Sequence, residues 1–301
     1  MKRVLLLLLA ALAMAGLQSS RLTTAQAVAR FAVNDISTLT PSLAASPQSR
    51  EFRKTVAFEP GGELTFGTDK GSVKLTSWDR HEIEIYARIE PPEHTDSEYG
   101  RRAVEAAKID VFGDARALTV RSNFDDVPNR DDRWGNSKSL PDIHYEIRAP
   151  RNLNLRLSAD RSNVRMQGFE GRLRLHTDRT GMEASELAGE IQIKMDRGKA
   201  DLSALRGGLD LETDRTDSQV HDLRIEKDSR LDISRGEAEL RLPGSQGLTV
   251  SADTGRRESF QTDFEIATRT FGGGKIEGNI NGGGPKLSIH GDRMRVHLKR
   301  Q

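Results

Sequence analysis

Between residues 155 and 218 the sequence returns on itself every 18 residues. LRLSADRSNV begins at Leu155, LRLHTDRTGM at Leu173, IQIKMDRGKA at Ile191 and LDLETDRTDS at Leu209. Asp160, Asp178, Asp196 and Asp214 share one phase of this repeat, and Arg161, Arg179, Arg197 and Arg215 share the next. The apolar pairs Leu155/Leu157, Leu173/Leu175, Ile191/Ile193 and Leu209/Leu211 recur in step. A weaker copy, LDISRGEAEL from Leu231, reads as two residues shorter through the turn. Related pieces begin at Leu248 (LTVSADTG), at Leu287 (LSIHGDRMRVHL) and far upstream at Leu64 (LTFGTDKGSVKL).

Alternation of apolar and polar residues with period 2 is a strand signal. Aspartate beside small residues marks a turn. Short strands at a fixed period near 20 residues indicate a solenoid, whose units bury their apolar faces only by stacking. The expected fold is therefore all-β: a parallel β-solenoid (β-helix) of about 18-residue rungs. An antiparallel sandwich of short hairpins is the competing reading. Residues 52–90 add further strand-like runs. Residues 91–108 break the pattern, because Tyr99, Ala103, Val104, Ala106 and Ala107 fall at helical spacing. One short inserted helix is expected there. Residues 123–141 read as a polar loop, and the glycine triplets in 272–284 as a tight crossing or a loop near the last rungs.

Composition narrows the chemistry. The 301 residues contain no cysteine, which excludes disulfides, thiolate metal sites and cysteine nucleophiles. Lys plus Arg total 46 against 45 Asp plus Glu, a balance unlike that of a dedicated nucleic-acid binder. Glycine is frequent at 27 and aromatics are only 5%, as many turns around a thin aliphatic core require. Lys2 and Arg3 precede the apolar run Val4 to Leu17, too short for a membrane span and right for a secretory signal. Residues 1–27 are expected to be a signal peptide, 28–50 a flexible linker and 51–301 the β-solenoid domain. No stable membrane span is expected after cleavage, and the location is expected to be extracytoplasmic: periplasmic, cell-surface or secreted.

The Asp-Arg ladder is the most specific constellation. Asp160, Arg161, Asp178, Arg179, Asp196, Arg197, Asp214 and Arg215 stack into two columns if the rungs are in register. Rungs lie about 4.8 Å apart, so an arginine column repels itself unless a carboxylate column stands beside it. The ladder reads first as turn chemistry with internal charge balance. It reads second as a row of forked cations and carboxylates facing a linear acidic or polyhydroxylated polymer. A polysaccharide-cleaving enzyme is a further alternative, but the same two residues in every rung look structural rather than catalytic. No catalytic residue, cofactor or metal ligand is assigned. Asp125, Asp126, Asn129, Asp131 and Asp132 are dense in oxygen ligands but lack the spacing of a known calcium loop. The seven histidines form no HExxH pair, though His176 and His290 share one repeat position, expected to face outward. No G-x-S-x-G elbow or Walker spacing occurs. Trp134, in the polar loop, reads as a loop anchor or a sugar-stacking residue.

Three stretches resemble a known family, the bacterial secreted "putative adhesin" domain of unknown function, a β-solenoid. They are GGELTFGTDKGSVKLTSWDRHEIEI at 61–85, the L-x-L-x-T-D-R blocks at 155–218 and GGGPKLSIHGDRMRVHL at 282–298. The likeness spans about residues 51–301. It departs from the family at the rung turn, Asn-Gly-like there and mostly Asp-Arg here. The resemblance implies an envelope or surface location and a non-enzymatic binding or structural role. Expected partners are a polysaccharide, an envelope protein or a second copy of the chain, with no nucleic acid. An envelope-stress regulatory component acting through protein partners is the remaining alternative.

Overall fold

The computed structural model describes residues 48–93, 95–128, 140–255, 259–272 and 274–301. The expected signal peptide and nearly all of the linker lie outside them. The described chain is all-β with one helix among its elements. No described helix is long and apolar enough to cross a membrane.

The repeats stack as their phase requires. Strands β8 (Asn154–Asp160) and β9 (Ser162–Gln167) form the two sides of one repeat, and β10 (Glu170–Ile225) continues through the next three. β8 pairs with β10 in parallel, Leu155 opposite Leu173 and Asp160 opposite Asp178. β9 does the same, Val164 opposite Met182. An 18-residue step thus places each residue beside its equivalent. Leu155, Leu157, Leu173, Leu175, Ile191, Ile193, Leu209 and Leu211 are all buried. Apolar residues of the second side, among them Val164, Met166, Met182, Ala200 and Leu202, are buried with them in one continuous core.

Each repeat turns twice. The first turn holds an arginine in the left-handed region: φ is 44° at Arg161, 48° at Arg179, 57° at Arg197 and 50° at Arg215. The second turn has a left-handed residue (Gly168, Glu186, Ala204, Asp222), then a buried apolar one (Phe169, Leu187, Leu205, Leu223). In three of these turns a glycine at positive φ follows: Gly171, Gly189 and Gly207. There the backbones nearly touch. A Cβ on Gly207 would lie 2.1 Å from the Gly189 carbonyl oxygen, a distance no side chain tolerates.

In the fourth turn Ile225 stands where that glycine would be. Isoleucine is disfavoured at positive φ, and here the step lengthens from 18 to 20. β11 (Ser229–Ser234) and β12 (Glu237–Leu242) pair in parallel with β10, Leu231 opposite Leu211 and Glu237 opposite Asp217. The irregular copy is therefore not shortened through its turn, as its sequence suggests. The two extra residues lie before the strand, and buried Ser229 fills the phase of Leu209.

The chain order is not the stacking order at either end. β2 (Glu63–Thr68) and β3 (Gly71–Trp78) lie between β6/β7 (Ala117–Asn123 and Asp142–Pro150) and β8/β9. Likewise β17 (Lys286–Asp292) and β18 (Arg295–Arg300) insert between β11/β12 and β13/β14 (Leu248–Asp253 and Phe260–Thr262). The segment 243–247 must pass the inserted strands. It does so by glycine contact: a Cβ on Gly284 would fall 2.5 Å from the Gly247 carbonyl oxygen. The Asn281 amide donates to the carbonyls of Gly244 (2.9 Å) and Gln246 (3.0 Å). Of residues 272–284, expected to be a tight crossing or a loop, only the triplet at 282–284 lies at this crossing, and Lys275–Ile280 between the triplets form a strand instead.

The sheet as a whole is mixed, which corrects the expectation of purely parallel strands. β1 (Arg50–Ala57) pairs antiparallel with β4 (Glu82–Glu90), and β4 with β7. β5 (Lys108–Gly113) pairs antiparallel with β6. At the other end β16 (Lys275–Ile280) pairs antiparallel with β13 and with β15 (Ala267–Gly272). Tight turns join antiparallel strands, whereas parallel ones need longer crossovers, so short segments can cover the terminal edges that a parallel stack leaves open.

Helix α1 (Ser97–Ala106) falls inside the expected 91–108. The Asp96 carboxylate accepts from the Tyr99 N–H at 2.7 Å, an N-cap. Its buried face is Gly100, Ala103 and Val104, and the last two join the core.

Candidate binding surface

The eight residues read from the repeat converge as one row along the first turn of each unit. The Arg179 guanidinium donates to its own Asp178 (3.0 Å) and back to Asp160 (3.3 Å). Arg197 does the same with Asp196 (3.0 Å) and Asp178 (3.1 Å). Arg215 does so with Asp214 (3.0 Å) and Asp196 (3.1 Å). Arg161 pairs with its own Asp160 at 2.5 Å. Every interior guanidinium thus bridges two carboxylates, and Asp160, Asp178, Asp196 and Asp214 each receive two arginines. The charge-balanced network expected from the sequence is present. The side chains of the three bridging arginines remain 44–46% exposed.

Local backbone chemistry places these side chains. An L-residue in the left-handed region costs about 1–3 kcal/mol, and glycine or asparagine is the usual occupant. A hydroxyl braces the turn from behind. Ser162, Thr180 and Thr216 donate to the carbonyls of Asp160 (2.8 Å), Asp178 (2.8 Å) and Asp214 (3.0 Å). Gly198 and Gly236 occupy that position in the other two turns; a Cβ on either would lie within 2.2 Å of the preceding repeat's carbonyl oxygen.

The row continues past the residues singled out from the repeat. Arg235 (φ 54°) reaches Asp214 with two nitrogens, at 2.9 and 2.7 Å. Partial burial pushes the Asp214 carboxyl up, but Arg235 and Arg215 outweigh it and hold the carboxyl below its ordinary range. Ser234 then stands in the aspartate position, and Asp292 and Arg293 beyond it pair with each other at 3.1 Å. At the opposite end the register of β2 and β3 brings Asp69 and Lys70 beside Asp160 and Arg161. Lys70 turns to the Leu140 carbonyl and the Asp142 carboxylate, both at 3.0 Å. The sequence signal for both extensions was present in the outlying copies, but the stacking order was not.

His176 and His290 occupy one outward column, His176 beside Ser158 and His290 beside Asp232, and both are exposed. Two other histidines make specific contacts: His144 with Ser72 (2.8 Å) and Glu90 (3.2 Å), His297 with Asp263 (2.9 Å). Of the acidic loop, Asp126 pairs with Lys108 at 2.5 Å. Asn129, Asp131, Asp132 and Trp134 lie outside the described residues. Among the described residues, no three His, Asp or Glu side chains are grouped as a metal site.

No family model matches the chain, and no curated protein matches it. Among solved structures, the chain is similar to a "putative cell adhesion protein" from Clostridium sporogenes, at 10% identity over 84% of this chain and 100% of that one, with a TM-score of 0.30. A "putative adhesin" from Parabacteroides merdae matches at 11% identity over 83% and 96% of the two chains, TM-score 0.33. Another, from Bacteroides fragilis, matches at 9% identity over 85% and 99%, TM-score 0.31. At such scores and identities the likeness establishes neither a shared fold nor a shared function.

Proposed function

We propose that the chain is a non-enzymatic, extracytoplasmic binding and structural module of the cell envelope. In this reading it is a β-solenoid closed at both ends by antiparallel strands, and its regular outer faces meet a linear surface polymer. The supporting observation is the row of bridged pairs from Asp160 to Arg235, in which one half-exposed arginine recurs at every stacking step. A linear array at strand spacing suits a linear ligand, and guanidinium forks suit carboxylate, phosphate and hydroxyl groups.

The test replaces Arg161, Arg179, Arg197 and Arg215 together with alanine. Binding to an acidic polysaccharide is then followed by co-sedimentation over a salt series. Weaker and less salt-sensitive binding supports the row as the contact surface. Unchanged binding makes the row a structural spine alone. Release of new reducing or unsaturated ends would replace the reading with that of a polysaccharide-cleaving enzyme.

A further inference from the structure

The repeat is most irregular where its step lengthens to 20 residues, and an open groove of about 550 Å³ lies there. It runs along the beginnings of the strands whose other ends carry the Asp-Arg row. Two local departures make it. Gly208 stands in the outward column shared by Arg172, Glu190, Asp228 and Lys286, so the column has a gap at its middle. The longer step before the strand also sets Lys227 beside that gap, its Cβ 3.4 Å from where a Cβ on Gly208 would stand.

The groove is cationic. Five basic side chains line it against three acidic ones. Glu190 is held by Arg172 (3.2 Å) and Lys227 (3.7 Å), and these two keep its carboxyl below the ordinary range. Arg230 pairs within its own strand with Asp232. Two cations remain. Among the described residues, the Arg174 guanidinium and the Lys286 ammonium have no hydrogen bond or ion pair. They sit four strand steps apart, about 19 Å at ordinary strand spacing, at opposite ends of the groove. Every arginine of the Asp-Arg row from Arg161 to Arg235 is held in an ion pair, whereas this groove, with five cations to three lining carboxylates, leaves Arg174 and Lys286 without one among the described residues.

We infer that this groove is a binding site for a linear acidic glycan, whose carboxylates are taken by Arg174 at one end and Lys286 at the other while the chain lies over Gly208. The inference rests on the reading of the protein as a polymer-binding module, but places the contact at the opposite ends of the strands from the arginine row. Gly208 has no positive φ, and a Cβ there meets its nearest neighbours, the Asp228 carbonyl oxygen and the Lys227 Cβ, at 3.4 Å. A Cβ is therefore accommodated at position 208 at ordinary contact distance.

The test titrates the purified protein with polygalacturonate oligomers, with dextran as the neutral control and linear polyphosphate as the non-saccharide polyanion. The variants are Gly208→Leu, the pair Arg174→Glu with Lys286→Glu, and the four-arginine row variant, each with its melting temperature measured. The expected result is polygalacturonate binding that weakens at least tenfold in Gly208→Leu and in the double charge reversal, with melting temperatures of both unchanged. The row variant keeps the groove intact and is expected to lose less of this binding than either groove variant. Loss in the row variant with the groove variants intact would overturn the groove and leave the broader reading standing. No polygalacturonate binding by the parent, or binding of polyphosphate alone, would overturn the assignment to an acidic glycan. A Gly208→Leu protein that melts early is set aside for the charge-reversal pair, which reads the same site without adding bulk.

Discussion

Arg197 reaches across one stacking step to the Asp178 carboxylate at 3.1 Å while its own backbone sits at φ 57°. The residue therefore serves two ends. Its backbone makes the turn that sends the chain into the second strand of the repeat, and its side chain ties that turn to the one before. Glycine would serve the first end better and asparagine nearly as well, but neither could bridge two carboxylates.

The conformational requirement is separable from the ionic one. Replacing Arg179 with valine puts a β-branched residue into the left-handed region and removes the bridge. It is expected to lower unfolding free energy by about 2–3 kcal/mol. Arg179→Asn also removes the bridge but suits the backbone, and is expected to cost under about 1 kcal/mol, since exposed ion pairs contribute little. Urea unfolding of the two variants checks this. Equal losses would show that the charge network outweighs the turn geometry.

The second turn has no such latitude. Gly207→Ala adds a methyl group 2.1 Å from the Gly189 carbonyl oxygen, at φ 125°. A loss of about 2–4 kcal/mol is expected. Gly255 is a control: it too has positive φ, 65°, but a Cβ there meets nothing within 4 Å, so Gly255→Asn is expected to be near neutral. Thermal unfolding of both variants separates contact from strain.

Acid should loosen the row. The Asp214 carboxyl titrates below its ordinary value in the folded chain because Arg235 and Arg215 favour its charged form. A carboxyl whose folded pKa is depressed adds stability that is complete above its unfolded pKa, near 3.9. That contribution is lost as pH falls through the folded pKa. Melting temperature is therefore expected to fall as the pH drops below about 4, and to fall less steeply in Asp214→Asn. Identical slopes for parent and variant would show that Asp214 carries no part of the acid response.

The inserted strands near the end of the chain make folding non-sequential. β17 and β18 separate β11/β12 from β13/β14. Deleting residues 286–301 leaves parallel strand edges open on both sides of the gap. The truncated protein is expected to self-associate on size-exclusion chromatography, and a peptide of residues 284–301 added during refolding is expected to restore the parent elution. A monomeric truncation with the parent's circular dichroism would contradict the stacking order.

Much of this was legible in the sequence. The 18-residue phase of Leu155, Leu173, Ile191 and Leu209 predicted the parallel register residue by residue, because a period-2 strand pattern permits no slip without turning its apolar set outward. The Asp-Arg columns followed from the same phase, and the spacing of Ala103 and Val104 located the helix. The insertions were not legible. Leu64 and Leu287 begin recognisable copies, but periodicity does not reveal which neighbours a copy lies between. The 20-residue step hides behind buried Ser229, a polar residue in an apolar phase. Gly208 gives no signal either, since its role lies in the side chain it lacks.

The most direct measurement of the proposed function mixes the purified protein with a panel of acidic and neutral polysaccharides and with envelope material. Each mixture is followed at once for co-sedimentation and for new reducing or unsaturated ends. Sedimentation with the acidic polymers, weakening with salt and without new ends, is the predicted result. New chain ends, or no sedimentation with any polymer, would contradict it.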